Sequence, residues 1–384
     1  MAKSKGEVQM AAVAASKFQF EILATSTGGA RRGRVHTPRG TYETPVFMPV
    51  GTRGTIKAAL VGQIAEIGFE VILGNTYHLM LRPGAEVVAS FGSLHGFTGW
   101  KRHMLTDSGG FQVMSLGAEY SEQGARFRSI YDGSVHTVTP EEAVALQELI
   151  GADIQMVLDV CTMLPAPRDR VERALELTHQ WAKRARSTKS RQDQAQFGIV
   201  QGGGELDLRA ESAKFIADLD FEGYAIGGLA VGESRGEMLA AIEASVEHLP
   251  EGKPRYLMGV GDPVGMLEAI ARGVDMFDCV APSRIARHGQ AMTFGGKLHM
   301  KNLRYQRDEG PVEDGCPCAA CAGYSRGLVR HLLNVGEPTA GMLLTLHNLT
   351  FMYRLVQRAR TAIVDGTLGA VIAEVRSAWD AGPD

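Results

Sequence analysis

Three observations predict an α/β fold of the (β/α)8 TIM barrel class with an inserted zinc-binding subdomain near the C-terminus. Eight short apolar runs rich in β-branched residues recur along the chain, most of them continuously apolar, as strands buried on both faces should be. Helical patterns of crossover length lie between most of them. A cysteine-rich segment then follows the eighth run, where a plain barrel would go straight to its last helix. A doubly wound open sheet would need fewer strands and a nucleotide loop, and is disfavoured.

In chain order, residues 1–16 read as a disordered tail. Lys3 and Lys5 precede an Ala-rich piece, Met10 to Ala15, that is too short for a signal-peptide core. The domain proper spans residues 17–384. Phe18–Thr44 is broken by Gly28-Gly29 and Pro38-Arg39-Gly40, and predicts a small antiparallel sheet closing the barrel's bottom. The eight strand runs are Val46–Val50, Val71–Asn75, His103–Asp107, Ile154–Asp159, Gln196–Gln201, Gly223–Gly228, Arg255–Gly261 and Asp275–Val280. Gln112–Val138 carries glycines between short alternating runs and predicts a hairpin excursion. Pro140–Ile150 opens with Thr139 as N-cap and Glu142 three residues on, a capping box. Arg168–Arg186, Glu205–Leu219, Arg235–Leu249 and Pro263–Arg272 supply further crossovers, and helices near Ser325–Leu333, Met342–Arg360 and Leu368–Asp380 finish the domain.

The chain has 384 residues, 45% of them hydrophobic, and a formal net charge of -3. That composition excludes disorder, collagen and coiled coil, and argues against non-specific coating of nucleic acid. No apolar run approaches the roughly 20 residues that span a bilayer. The five cysteines are odd in number, with three inside six residues. This is no disulfide framework, and it points to a reducing compartment, the cytoplasm.

Functional groups of a barrel gather where its strands end, because the loops there converge on one mouth. Those ends carry Asn75, Asp107-Ser108, Asp159, Gln201, Gly227-Gly228 and Asp278. A single Asp in such a place reads most simply as an N-cap. Three carboxylates on different strands, all costly to bury alone, shift the balance to a site. No His-x-His or His-x-x-x-His spacing accompanies them, so metal hydrolysis is disfavoured. What remains is nucleophilic attack with general acid–base work, as at a glycosidic carbon. Asp159 and Gln201 suit base recognition: a carboxylate accepts from the N1–H and N2–H of guanine, and an amide donates to O6. The pairs Gly202-Gly203 and Gly227-Gly228 let backbone amides approach a flat ligand.

Cys316-x-Cys318-x-x-Cys321, with His347 further on, supplies three thiolates and an imidazole. That set makes a closed tetrahedral zinc site of the structural type, in a subdomain over residues 285–350. Cys161 and Cys279 neighbour strand-end aspartates and read as buried fillers or pocket walls. Between Arg284 and Arg307 lie six Lys and Arg and not one Asp or Glu, in a chain with 43 acidic residues. This strip begins just after Asp278, and is either a solvated cationic face or the footprint of polynucleotide phosphates.

Taken together, these residues resemble the bacterial tRNA-guanine transglycosylase family, which exchanges guanine at the anticodon wobble position for a 7-deazaguanine. The matching stretches run from Phe47-Met48-Pro49-Val50-Gly51 and Gly74-Asn75-Thr76-Tyr77-His78 through Thr106-Asp107-Ser108-Gly109-Gly110-Phe111-Gln112. They continue with Gly227-Gly228-Leu229-Ala230-Val231-Gly232-Glu233, Tyr256-Leu257-Met258-Gly259-Val260-Gly261 and Met276-Phe277-Asp278-Cys279-Val280. The resemblance implies Asp278 as nucleophile at C1′ of the target ribose and Asp107 as general acid and base. It implies Asp159, Gln201, Gly228 and Leu229 as readers of the base edge, with Phe111 and Met258 sandwiching the ring and Asn75 and Ser108 lining the site. Arg284 and Arg287 would touch the tRNA anticodon loop, one structural zinc ion would sit in each subunit, and the protein would be a homodimer formed partly through the zinc subdomain.

Bacterial members usually read Asp-Glu-Cys-Thr-Pro-Tyr-Pro where this chain has Asp159-Val160-Cys161-Thr162-Met163-Leu164-Pro165, and Ser283 stands where Thr is usual. Val231 and Cys161 resemble the forms that take preQ1, the aminomethyl-7-deazaguanine, whereas queuine users tend to have Gly at the Val231 position. The expected function is therefore preQ1 exchange in queuosine biosynthesis, with queuine as the alternative base. The rival classes are a non-catalytic tRNA-binding partner subunit and a barrel glycosidase. Retention of Asp107, Asp159 and Asp278 argues against the first, and the basic strip against the second.

Overall fold

A computed structural model describes residues 18–381; the tail expected over residues 1–16 lies outside them. Eight parallel strands close into a barrel in chain order: Val46–Gly51, Val71–Asn75, His103–Asp107, Ile154–Met156, Ala195–Val200, Gly223–Ile226, Arg255–Leu257 and Met276–Cys279. The eighth pairs with the first, from Met276 opposite Val46 to Cys279 opposite Pro49. The first six strands are buried at every position. This is why they read as apolar runs with no alternation: the barrel interior takes one face and the helical ring the other.

Strand starts fall where the apolar runs begin, but several ends do not. The ladder of the fourth strand stops at Met156, not Asp159; the sixth stops at Ile226, not Gly228; the seventh stops at Leu257, not Gly261. Beyond these points the chain turns out of the ladder, with Gly228 and Gly259 at positive φ (64° and 77°). Asp159, Gln201 and Gly228 thus stand on irregular extensions of their strands, while Asn75, Asp107 and Asp278 stand on the strands themselves. Periodicity cannot distinguish the extensions from the strands, because residues 157–159 and 227–228 are as buried as the ladder before them.

The N-terminal strands Gln19–Thr25, Arg31–Thr37 and Gly40–Thr44 form the expected antiparallel sheet. It lies under the N-terminal ends of the barrel strands. Arg31 makes a two-pronged ion pair (2.9 and 2.6 Å) with Asp275, the residue before the eighth strand. Arg39 meets Asp153, the residue before the fourth, at 2.7 Å. The excursion between the third and fourth strands is not a hairpin. Its strands Glu119–Tyr120, Ala125–Arg128 and Val135–Val138 make a three-stranded antiparallel sheet, because Gly124 and Asp132-Gly133 each support a separate turn. The capping box before Pro140–Ile150 is present: Glu142 N–H donates to Thr139 Oγ1 at 3.2 Å and Thr139 N–H to Glu142 at 2.8 Å.

After the eighth strand come a helix Ala281–Arg287, a hairpin of Gln290–Thr293 and Gly296–His299, and a 27-residue helix Pro338–Val364. One flank of that long helix belongs to the barrel core through Leu349, Met352 and Leu355. Its N-terminal half, through Leu343 and Leu344, joins a second small core with Ala291, Met300, Val312 and Val329. Among the described residues no helix is long and apolar enough to cross a membrane.

Candidate active site and metal centre

The extensions at the C-terminal mouth of the barrel enclose a cavity of about 360 Å³, within the range of small-molecule sites. Three carboxylates face it. Asp107 ends the third strand opposite Asn75 in register. Its carboxylate accepts from the Asn75 side-chain amide, from Thr76 N–H at 2.9 Å and from Gln112 Nε2 at 3.0 Å. Burial pushes its pKa up, these donors pull it back, and the charge on Asp278 adds to the rise, leaving it at about 6.

Asp278 stands on the eighth strand. Its Oδ1 accepts from the Tyr256 hydroxyl at 2.6 Å and from Gly259 N–H at 2.7 Å, while no donor among the described residues reaches Oδ2. Burial raises its pKa, against the pull of Tyr256 and Gly259. A carboxylate anchored by one oxygen, with the other bare toward a cavity, has the geometry of a nucleophile.

Asp159 lies beyond the fourth strand and accepts from Gln201 Nε2 at 2.6 Å. Burial raises it to about 6, Gln201 opposing and Asp107 assisting. Gln201 itself sits behind Asp159, with its backbone N–H on Ser212 Oγ at 3.1 Å. Gly227-Gly228 packs closely on this amide: a Cβ on Gly227 would meet Ile199 and Gln201, and one on Gly228, which is at positive φ, would meet Gln201 Oε1. Asn75, Ser108, Cys161, Gly228, Leu229, Val231 and Met258 all line the cavity. Phe111, on the short helix Gly110–Ser115, does so while 54% exposed. Arg284 reaches the mouth, but Arg287 does not, its guanidinium turning back onto Ser283 O at 2.7 Å. Elsewhere in the acid-free strip, Lys297 lies over the Trp379 ring and Arg304 over Tyr305.

The second constellation is Cys316, Cys318, Cys321 and His347, whose ligand atoms lie within 4.8 Å of one another. His347 Nε2 faces Met292 O at 2.9 Å. A carbonyl only accepts, so Nε2 carries the proton and Nδ1 presents its lone pair. Nδ1 lies 3.6, 3.6 and 3.3 Å from the three sulfurs. A tetrahedral ion at about 2.3 Å from sulfur and 2.0–2.1 Å from nitrogen gives N···S edges of about 3.5 Å. The four residues therefore fit a zinc-type site that is closed to substrate.

A family model described as Queuine tRNA-ribosyltransferase matches residues 26–381. The chain belongs to that family. Similar relatives carrying the same name include one from Rhizobium meliloti, 49% identical over 368 residues (95% of this chain and 98% of the relative). Others come from Moorella thermoacetica, 49% identical over 356 residues (92% and 95%), and from Thermus thermophilus, 49% identical over 354 residues (92% of each). Family membership makes the chain a tRNA-guanine transglycosylase, a pentosyltransferase with tRNA as substrate.

Several residues that shape the transglycosylase cavity escaped the sequence reading. Tyr256 and Gly259 hold Asp278, while Thr76 and Gln112 hold Asp107. Glu233 takes the N–H groups of Ala230 and Val231. A tyrosine within an apolar strand reads as core. Thr76, Gln112, Glu233, Tyr256 and Gly259 were visible only as members of longer matching stretches, with no role attached.

Proposed function

We propose that the enzyme exchanges guanine at wobble position 34 of tRNAs with GUN anticodons for preQ1, through a glycosyl ester on Asp278, as a step of queuosine biosynthesis. The observation that carries this reading is the division of labour among three carboxylates around one cavity. Asp278 offers a bare oxygen, Asp107 is poised near neutrality, and Asp159 is paired with an amide at the far edge.

The wobble guanosine is splayed into the mouth, its phosphates meeting Arg284 and, beyond it, Arg287 and the acid-free strip. Phe111 and Met258 close on the faces of the base. Ionised Asp159 accepts from N1–H and the 2-amino group; Gln201 and the backbone of Gly228 and Leu229 complete the edge. Asp278 Oδ2 attacks C1′ as the C1′–N9 bond breaks. The electron pair stays with guanine, which takes a proton from Asp107. The incoming base then gives its N9 proton to Asp107 and displaces the ester, restoring both carboxyl groups. Asn75 and Ser108 position Asp107 and Asp159 for these exchanges.

Preference for preQ1 over queuine is supported by Val231 and Cys161, two side chains that take up space on the cavity wall; the names of the relatives carry the queuine alternative. Incorporation of preQ1, queuine and guanine into tRNA by the purified protein tests the reading. The expected order places preQ1 above queuine, and queuine incorporated as fast as preQ1 would overturn the preference.

Guanine affinity should also follow Asp159. Its pKa is raised to about 6, and only the ionised form accepts both N–H groups. Binding is therefore expected to be level above about pH 7 and to weaken toward tenfold per unit below about pH 6. Titration of guanine across pH 5–8 checks this, and Asp159→Asn should flatten the profile.

The Cys3His ion is proposed to be zinc, one per subunit, supplying a structural cross-link and no chemistry at the ribose. We read residues 285–350 as a zinc-binding subdomain within one barrel domain, and the protein as a cytoplasmic homodimer. Exposed Tyr324, three residues after Cys321, and exposed Leu328 and Val335 on and after the next helix, support an interface there.

A further inference from the structure

Arg209 is among the largest fully buried side chains of the chain, on the helix Leu206–Asp218. No carboxylate pairs with it among the described residues. Its guanidinium instead donates to four backbone carbonyls: Gly203 at 2.8 Å, Val200 at 3.3 Å, Gly227 at 2.7 Å and Gly228 at 3.1 Å. Burying a cation with no carboxylate in contact is costly. Glu233 acts on this one only through space, and its hydrogen bonds all go to the two loops that frame the base edge of the cavity. Burial lowers its pKa only to about 10, so it stays charged at neutral pH.

A trans peptide points its C=O and the following N–H in opposite directions. Arg209 holds the carbonyls of Gly227 and Gly228 from behind the loop. The N–H groups of Gly228 and Leu229 must then point away from Arg209, to the side where both residues line the cavity. Neither N–H has an acceptor among the described residues. We infer that Arg209 is a positioning residue that aims these two backbone donors at the 6-oxo group of the bound base, and so sets specificity for a 6-oxopurine edge. Gln201 supports the same geometry, since its side chain fills the space a Cβ on Gly228 would need. The inference rests on reading the cavity as the guanine site, and adds the group that orients its carbonyl-reading wall.

Three bases separate the possibilities. 6-Thioguanine keeps the N1–H and 2-amino groups and replaces only the oxygen by a weaker acceptor. Hypoxanthine keeps the oxygen and lacks the 2-amino group that Asp159 reads. Arg209→Lys keeps the charge but loses the fork that spans two carbonyls. The variant is expected to bind guanine about tenfold more weakly, the worth of one well-aligned hydrogen bond to the base. Its guanine to 6-thioguanine ratio should fall by the same factor, while the guanine to hypoxanthine ratio stays at the wild-type value. A merely structural role would weaken all three bases in proportion, and that result would overturn the assignment.

If Arg209→Lys does not fold, the wild-type enzyme still decides. The amides of Gly228 and Leu229 should become protected from hydrogen exchange when guanine is added, and less so with 6-thioguanine. Equal protection by both bases, or none by guanine, contradicts the inference. A wild type that binds guanine no better than hypoxanthine would instead count against the reading of the site.

Discussion

Asp278→Asn is expected to lower base exchange by about 10⁴-fold or more, the scale seen when a covalent nucleophile is removed. Folding and tRNA affinity should stay close to wild type. The substitution is nearly isosteric, and the amide oxygen can still accept from Tyr256 and Gly259. What it removes is the anionic Oδ2, the atom with no donor of its own and the one that must form the bond to C1′. Steady-state exchange of labelled guanine into tRNA measures the loss, and filter binding of tRNA measures what is kept. Activity within a few-fold of wild type would mean that another group attacks C1′. Tyr256→Phe should act in the same direction but far less, because Gly259 N–H still anchors Oδ1.

The second large effect concerns stability. Removing the proposed zinc ion with a chelator, or substituting Cys318→Ala, is expected to abolish zinc binding. The cost should be several kcal/mol, since a structural zinc site contributes its binding free energy to folding. The small core around the site has few large side chains, and Cys316 and Cys318 belong to it. His347 lies in the first half of the long helix that this core shares with the barrel. Loss of the ion should therefore lower the thermal midpoint of the whole chain and weaken tRNA binding, because the basic strip runs into this segment. Metal analysis and calorimetry check both effects. An unchanged midpoint after complete zinc removal would show that the four ligands carry no structural load.

The barrel was legible because a parallel sheet buried on both faces leaves a mark that few other elements leave, a short β-branched run with no alternation. The cysteine spacing and His347 were legible for a similar reason: four metal-type ligands are hard to explain otherwise. The ends of the strands were not legible. Asp159, Gln201 and Gly228 stand beyond the last ladder bond of their strands, where only the neighbouring strand decides whether pairing continues. Long-range partners were hidden as well. Nothing local marks Tyr256 as the donor to Asp278, since their contact depends on barrel closure. Arg209 is the clearest case: a cation on a crossover helix reads as solvent-facing until the carbonyls it holds are known. The hydrogen bond from Arg287 back to Ser283 O of its own helix is likewise not marked by the composition of the strip.

The central claim is the glycosyl ester on Asp278, and its most direct measurement is covalent capture. The protein would be incubated with tRNA, separated on a denaturing gel and digested, and the RNA-linked peptide sequenced by mass spectrometry. The account predicts an adduct on Asp278 in the wild type, discharged by added preQ1 and absent from Asp278→Asn. Full exchange activity with no adduct, or an adduct on Asp107 or any other residue, would contradict it.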